Sequence, residues 1–462
     1  MFAKHALYLT MKSTLDDRHL LEQGPVSRLF CKYALPSVVT VVFFGIQNIV
    51  DGVIVGNHIG PDAMGGINII LPLFNIMLVV ALVVGVGSQT LVSLGLGEQN
   101  IARSQDAMTT GFWTLVLVGL LTTLLLILLA EPLTRLMGAD ERLLPHALGY
   151  LYGLAPFTLP LILCFYSDIM LKALGYPKVS MSIMSSAVVL NILLSLIFVI
   201  GLGWGTMGAS IATGIAFSTG FLVSGRITFN RKQRLSMLKG RFRLPLLRNA
   251  LYNGSSEGMS DFAASVSILI INLTVVRMLG ADGVAAFTAI NYINFTGVLL
   301  FLGISDGLIP VLSFNHGARN HARVRQIFRF AAKVNTCIGV CVFIVLQLFG
   351  DAVLLLFFDS RESSAFGIAE AGLFIYAFAF LMNGLNVLIT AYFTALGDAR
   401  SSIIAATLRG LVFVLAGVAV LPKFFGISGV WMAIPLAELL ALGVASFLVV
   451  RANRTLLKPA DD

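Results

Sequence analysis

Long apolar stretches run through this 462-residue chain from near its start almost to its end. A helix needs roughly 20 apolar residues to cross the ~30 Å hydrocarbon layer of a bilayer. Twelve stretches of that kind are read near 35–55, 66–92, 110–130, 147–171, 179–200, 205–224, 251–276, 284–314, 330–350, 366–396, 402–421 and 426–450. With 57% hydrophobic and 12% charged residues, the chain has no means of hiding its apolar surface inside a water-soluble globule, so lipid is its main solvent. A β-barrel would show short segments of alternating polarity, because its inner face is wet. These runs are continuous, and the expected fold class is an all-α polytopic membrane protein with twelve transmembrane helices.

The second half repeats the first at a spacing of about 220. Gly60/Gly280, Asp62/Asp282, Gly87/Gly307, Ser93/Ser313, Gly97/Gly317, Asn100/Asn320, Ala102/Ala322 and Arg103/Arg323 all differ by 220. Ala173-Leu174-Gly175 returns as Ala395-Leu396-Gly397, and Gly205, Gly208 and Ala212 return as Gly426, Gly429 and Ala433. A duplicated six-helix unit follows. The expected organisation is a tail over 1–33, an N-lobe over 34–224, a basic linker over 225–249, a C-lobe over 250–450 and a second tail over 451–462.

The net charge of +8 does not point to nucleic acid, because the basic residues fall on one side. With the N-terminus inside, 24 Lys and Arg lie in the inner segments, Lys4, Lys12 and Lys458 among them, against five outside. That bias places both termini in the cytoplasm. An even span count then makes the two six-helix lobes parallel, related by an axis along the membrane normal. The linker carries eight of the basic residues and no acid. It could grip anionic inner-leaflet lipids, or it could be a solvated loop that fixes topology. Residues 1–33 are polar with both signs of charge, unlike a cleavable signal, and part of them could be a disordered tail.

No phosphate-binding G-x-x-x-x-G-K-[ST] loop, H-E-x-x-H or G-x-S-x-G motif is present, and no long soluble domain offers a catalytic centre. The six histidines lie outside the apolar stretches. The chain is expected to be no enzyme and to need no cofactor, and any work it does draws on a gradient. Cys31, Cys164, Cys337 and Cys341 lie in or beside apolar helix, where packing suits them better than zinc or a disulfide. Pro36, Pro72, Pro156, Pro160, Pro310 and Pro435 interrupt spans as kinks.

An ionisable side chain inside a span costs roughly 2.5–3.5 kcal/mol on insertion scales, so each one calls for an explanation. Asp51 lies in the first span, with Gln47 one turn earlier on the same face. A carboxylate taken out of water exchanges a proton nearer neutral pH, and with neighbouring oxygens it could hold Na⁺ instead. The alternative is a residue near the outer water interface. Asn191 and Ser195, one turn apart in the fifth span, and Thr213 in the sixth offer such oxygens, although these types also glue membrane helices together. Glu257 and Asp261 share a face of the seventh span as a second-lobe candidate; two like charges in a dry place do not both ionise easily. If that part of the span lies at the cytoplasmic surface, both are simply in water. Asp168 and Lys172 are expected to pair at the membrane interface, while Asp306, Arg409 and Glu438 stand isolated. The 33 Phe and 15 Met could line a cavity for flat apolar cations.

Four features taken together resemble one known family. They are Gln-Asn-Ile-Val-Asp51-Gly-Val-Ile-Val-Gly in the first span, the Ala173-Leu174-Gly175-Tyr-Pro-Lys178 turn, the Gly205-x-x-Gly208-Ala-Ser-x-Ala212-Thr213 segment and the doubled six-helix plan. From about residue 25 to 450 the chain resembles the multidrug and toxic compound extrusion (MATE) transporters of prokaryotes. The resemblance implies two rocking helix bundles around a central cavity, exchanging H⁺ or Na⁺ for organic, often cationic, compounds across the inner membrane. It implies small organic substrates, H⁺ or Na⁺ and membrane lipids as partners, with the chain acting as a monomer. A cation-coupling site is implied at Asp51, Asn191, Ser195 and Thr213, with Gln47 and Asn48 as substrate-binding candidates. Ser195 stands where the family pattern has Asp, which weakens the case for firmly held Na⁺ at Asp51 and favours proton coupling. Glu257 matches another branch's seventh-span acid, but the tenth span has no acid beyond Glu370 at its outer end.

Two other readings compete with export. A lipid-linked oligosaccharide flippase of the same broader fold needs a basic cavity, and Arg409 is the one mid-span basic residue that could serve it. A membrane enzyme needs clustered nucleophiles or metal ligands at one depth, which the sequence does not offer.

Overall fold

The computed structural model describes residues 13–358 and 360–455. Lys4, Lys12 and Lys458 lie outside the described residues. The spans are Val26–His58, Pro61–Gly97, Ile101–Leu136, Leu144–Ala173, Pro177–Gly201 and Gly205–Thr228 in the first half. In the second half they are Leu244–Gly317, His321–Leu354, Ser364–Leu396, Ala399–Phe425 and Ile427–Thr455. Leu244–Gly317 is 74 residues long, about 110 Å if straight, and far too long for one crossing. It reverses at Gly280, where φ is 64° and ψ −146°, and so supplies the seventh and eighth spans. Gly60, φ 115°, breaks the chain at the equivalent place between the first and second spans. Only glycine adopts such angles without strain, which explains this repeated pair.

The helices outrun the apolar stretches by a turn or two. His58, His146, His316 and His321 consequently fall in terminal helical turns rather than in loops. The 220-residue register extends to backbone detail. Gln99 (φ 61°) and Arg319 (φ 56°) both take left-handed conformations, and Asn100 and Asn320 then cap the third and ninth spans by accepting from the Arg103 and Arg323 amides at 3.0 and 3.2 Å.

Apolar faces turn outward where lipid is the solvent. Leu117, Leu121, Leu124 and Leu128 form an exposed stripe at helical spacing down the third span. Inward, the core is arranged by depth. At the end that carries the linker, the basic end, one continuous core joins both halves, with Tyr33, Val92, Met108, Ile162, Leu308, Leu312, Phe393 and Val449 among its members. Toward the far end the halves have separate cores, one around Phe287, Tyr376 and Trp431 and smaller ones around Ile70 and Ile54.

Small residues let the halves approach at the basic end. A Cβ on Gly87 would run into the Ala250 carbonyl, and one on its repeat-mate Gly307 into the Tyr33 carbonyl. Gly254 lies equally close to the Val83 carbonyl, and Gly303 to the Val38 backbone.

The segments leading into each half are ordered and crossed. Part of the expected N-terminal tail is a helix, Ser13–Glu22, and it lies on the second half. There Arg323 Nη2 donates to the Gly24 carbonyl, Nε to the Leu21 carbonyl at 3.4 Å, and Asn320 Nδ2 to the Glu22 carbonyl at 3.4 Å. The linker lies on the first half. Gln105 bonds the Ser236 backbone in both directions, its Oε1 accepting from the amide at 3.0 Å. Thr109 Oγ1 accepts from the Gly240 amide at 3.0 Å, and Thr110 Oγ1 from the Arg243 amide at 3.0 Å. Asp106 accepts from the Arg241 amide at 2.9 Å and from Arg243 Nε. With Leu235 and Met237 buried, this part of the linker is a packed strap and not a solvated loop.

Candidate functional site

Asp51 sits near the far end of the first span, half-buried and facing the fifth. Gln47, one turn before it, directs Nε2 to Asp51 Oδ2 at 3.5 Å, and Ser195 Oγ approaches Asp51 Oδ1 at 3.5 Å. Both are long for hydrogen bonds, so neither grips the carboxylate tightly. Asn191, a turn before Ser195, donates Nδ2 to Thr213 Oγ1 at 2.9 Å, and the Thr213 hydroxyl donates to the Ala209 carbonyl at 3.1 Å. Gln47, Asn191, Ser195 and Thr213 are all buried. Two oxygens here have no donor among the described residues, Gln47 Oε1 and Asn191 Oδ1. The fifth span widens into a π-helix at Leu196–Gly201 directly after Ser195. Such widened turns recur beside functional groups because they displace side chains from the regular helical rows. Asn48, next to Gln47 but about 100° around the helix, is exposed and shares none of these contacts. Deeper in the same half, Phe44, Phe165 and Phe217 stack on one another with centroids 5.5–5.9 Å apart.

In the second half the seventh span starts at Leu244, so Glu257 lies thirteen residues in, about 20 Å along the axis. Glu257 is half-buried and Asp261 exposed, so the pair is not enclosed together. Glu438 of the twelfth span, isolated in the sequence, is held by the tenth. Asn383 Nδ2 donates to Oε1 at 2.9 Å, and Asn386 Nδ2 to Oε2 at 2.6 Å and to the Glu438 carbonyl at 2.8 Å. Arg409 lies within electrostatic reach of both Glu438 and Glu257 and has a buried Nη1 without a partner among the described residues. It, too, stands in a π-helical turn, Leu408–Val412. The signal that could have found this cluster is Asn383-x-x-Asn386, two amides on one face of a membrane helix. Asp168 and Lys172 pair as expected, at 2.8 Å, but they are buried at the basic end, where Ser180 also donates to Asp168.

Among the described residues, twelve membrane spans in two repeated halves, joined in one core at the basic end and holding buried polar clusters, define a polytopic membrane transporter. The MatE family model matches residues 36–197 and again 258–420, once in each half. The chain belongs to the MatE family, whose members are transporters and not enzymes. It is 24% identical over 445 residues to the multidrug export protein MepA of Staphylococcus saprophyticus, covering 94% of this chain and 96% of that protein. MepA of Staphylococcus haemolyticus is likewise 24% identical over 438 residues, covering 93% and 94%. A MATE crystallised in complex with MaL6 has the same fold, at a TM-score of 0.89 with 22% identity over 95% of this chain and 99% of that one. A multidrug resistance MATE family transporter of the MOP superfamily in its outward-facing conformation matches at 0.87, with 22% identity over 95% and 98%.

Proposed function

We propose that the chain exports small organic compounds, cationic ones foremost, in exchange for H⁺ or Na⁺, with Asp51 as the coupling carboxylate. The observation that carries this reading is the oxygen-rich pocket around Asp51. A membrane-embedded carboxylate is met only by long contacts among the described residues, and two buried amide oxygens in its neighbourhood lack donors among them. A proton or a small cation is what such a set of acceptors can still take up. Likeness to MepA over nearly the whole chain supports a multidrug range.

The positive-inside bias assigns the basic end to the cytoplasm. On that assignment the joined core closes the inner side, the halves part toward the outside, and the arrangement is the outward one. A proton or Na⁺ taken up at Asp51 and substrate bound between the halves favour different states, so each displaces the other across a cycle. Glu257 and its neighbours form a second candidate coupling group in the same role.

The test is efflux of a fluorescent cation from proteoliposomes with H⁺ and Na⁺ gradients imposed separately. Asp51→Asn is expected to abolish gradient-driven efflux while leaving the protein monodisperse. Efflux at the wild-type rate in that variant removes Asp51 from the role.

A further inference from the structure

A cavity of about 120 Å³ lies at the basic end, between the two crossed straps. Arg18 and Leu21 of the leading helix line one side, and Gln233, Arg234 and Leu235 of the linker another. The last helical turn of the fourth span adds Lys172, and the eighth span closes the wall with Phe314. Three cations therefore line it, and no carboxylate is among the lining residues. Arg18 pairs with Glu22 at 2.7 Å and Lys172 with Asp168 at 2.8 Å, both acids standing outside the wall. The Arg234 side chain has no ion pair or hydrogen bond among the described residues.

We propose that this cavity binds a phosphate-type oxyanion, either free or as the headgroup phosphate of an acidic lipid, and that the bound anion holds the two halves together at the basic end. The space admits several waters or one small polyatomic anion. Guanidinium forks match phosphate oxygens in pairs, and Lys172 adds a compact charge from a third direction. Arg18 and Lys172 are already paired with Glu22 and Asp168, so Arg234 is the wall's one charge without a counter-charge among the described residues, and an anion supplies it. The walls come from both halves and both straps, so the site is complete only when the basic end is closed. A ligand that recognises one arrangement alone shifts the population toward it. The proposal goes beyond ion-coupled export and uses none of the residues around Asp51.

Two arms of one experiment separate the sources of the phosphate. In the first, the full chain in a neutral detergent is melted with inorganic phosphate or with chloride at equal ionic strength. In the second, it is melted in nanodiscs of phosphatidylcholine with or without phosphatidylglycerol. Spin labels at Ala102→Cys and Ala322→Cys, exposed repeat-mates on the two halves, report separation at the basic end in a chain whose native cysteines are replaced by alanine.

A rise of several degrees and a narrowed label distance are expected with phosphate, with the acidic lipid, or with both. Arg234→Gln should lose most of that response, and Arg18→Gln provides a second variant should the first fold poorly. A response to inorganic phosphate identifies a soluble ligand, and one confined to phosphatidylglycerol identifies a lipid. No response to either probe, or an equal response in wild type and both variants, overturns the proposal.

Discussion

Gly97 and Gly317 are images of each other across the contact between the halves: a Cβ on Gly97 would collide with the Phe314 carbonyl, and one on Gly317 with the Leu94 carbonyl. Leu94 and Phe314 are themselves 220 residues apart, so the pseudo-two-fold axis passes through this crossing. Each backbone fills the space the other leaves.

Gly317→Ala and Gly97→Ala should therefore force the second and eighth spans apart. The better helix propensity of alanine, worth up to about 1 kcal/mol, is outweighed by overlap with a backbone that has nowhere to go, typically 1–3 kcal/mol. The melting midpoint in detergent is expected to fall by several degrees, and spin labels at the basic end should move apart. An unchanged midpoint and label distance in both variants would show that the crossing has slack.

Ser195→Asp should change which ion drives transport. Ser195 Oγ already lies 3.5 Å from Asp51 Oδ1, so the substitution sets a second carboxylate beside the first. Two carboxylates so close favour an intervening cation over two free charges. Efflux under a Na⁺ gradient should rise several-fold relative to efflux under a pH gradient. A constant ratio across the two gradients counts against Asp51 and Ser195 sharing an ion.

Glu438→Ala removes the carboxylate that accepts from the buried Asn383 and Asn386 amides, which strips Asn383 Nδ2 of its acceptor while Asn386 Nδ2 keeps the residue-438 carbonyl. Leaving a buried donor unpaired costs about 1–3 kcal/mol, so the melting midpoint should drop by a few degrees. Adding Asn383→Ala and Asn386→Ala to the same chain should cost less than the sum of the separate losses, because the partners go together. Full additivity in that cycle means the three side chains do not act as a unit.

Asp106→Ala breaks the acceptor for the Arg241 amide and the Arg243 guanidinium. Local opening of the strap should become easier, and trypsin should cut after Arg241 or Arg243 on the order of tenfold faster. The rate is read on a gel, with the full-length band as reference. Equal cutting rates would mean the remaining contacts of Gln105, Thr109 and Thr110 hold the strap alone.

Membrane burial and internal duplication were legible because lipid and symmetry leave signals in every helix. Apolar runs mark each crossing, and Gly87/Gly307 and Gly97/Gly317 kept register because a side chain at any of them meets opposing backbone. The Asp51 neighbourhood was legible in part: Gln47, Ser195, Asn191 and Thr213 lie close by, whereas Asn48 does not. The Glu438 cluster was legible only as the Asn383-x-x-Asn386 pair, since Glu438 stands more than fifty residues away and no spacing rule links the tenth span to the twelfth. The packed strap was not legible, because basic residues on both sides of Leu235 and Met237 give the linker the look of a wet loop. What packs that segment is Gln105, Asp106, Thr109 and Thr110, a polar run that in sequence reads as the exposed start of a helix.

The crossed straps carry a further consequence for how the molecule is put together. Each half wears a clasp cut for its sibling, as in an exchanged-arm dimer, although here both arms belong to one polypeptide. Severed after residue 228, the two pieces should find each other when made in the same cell, whereas either piece alone would display a docking groove with nothing in it.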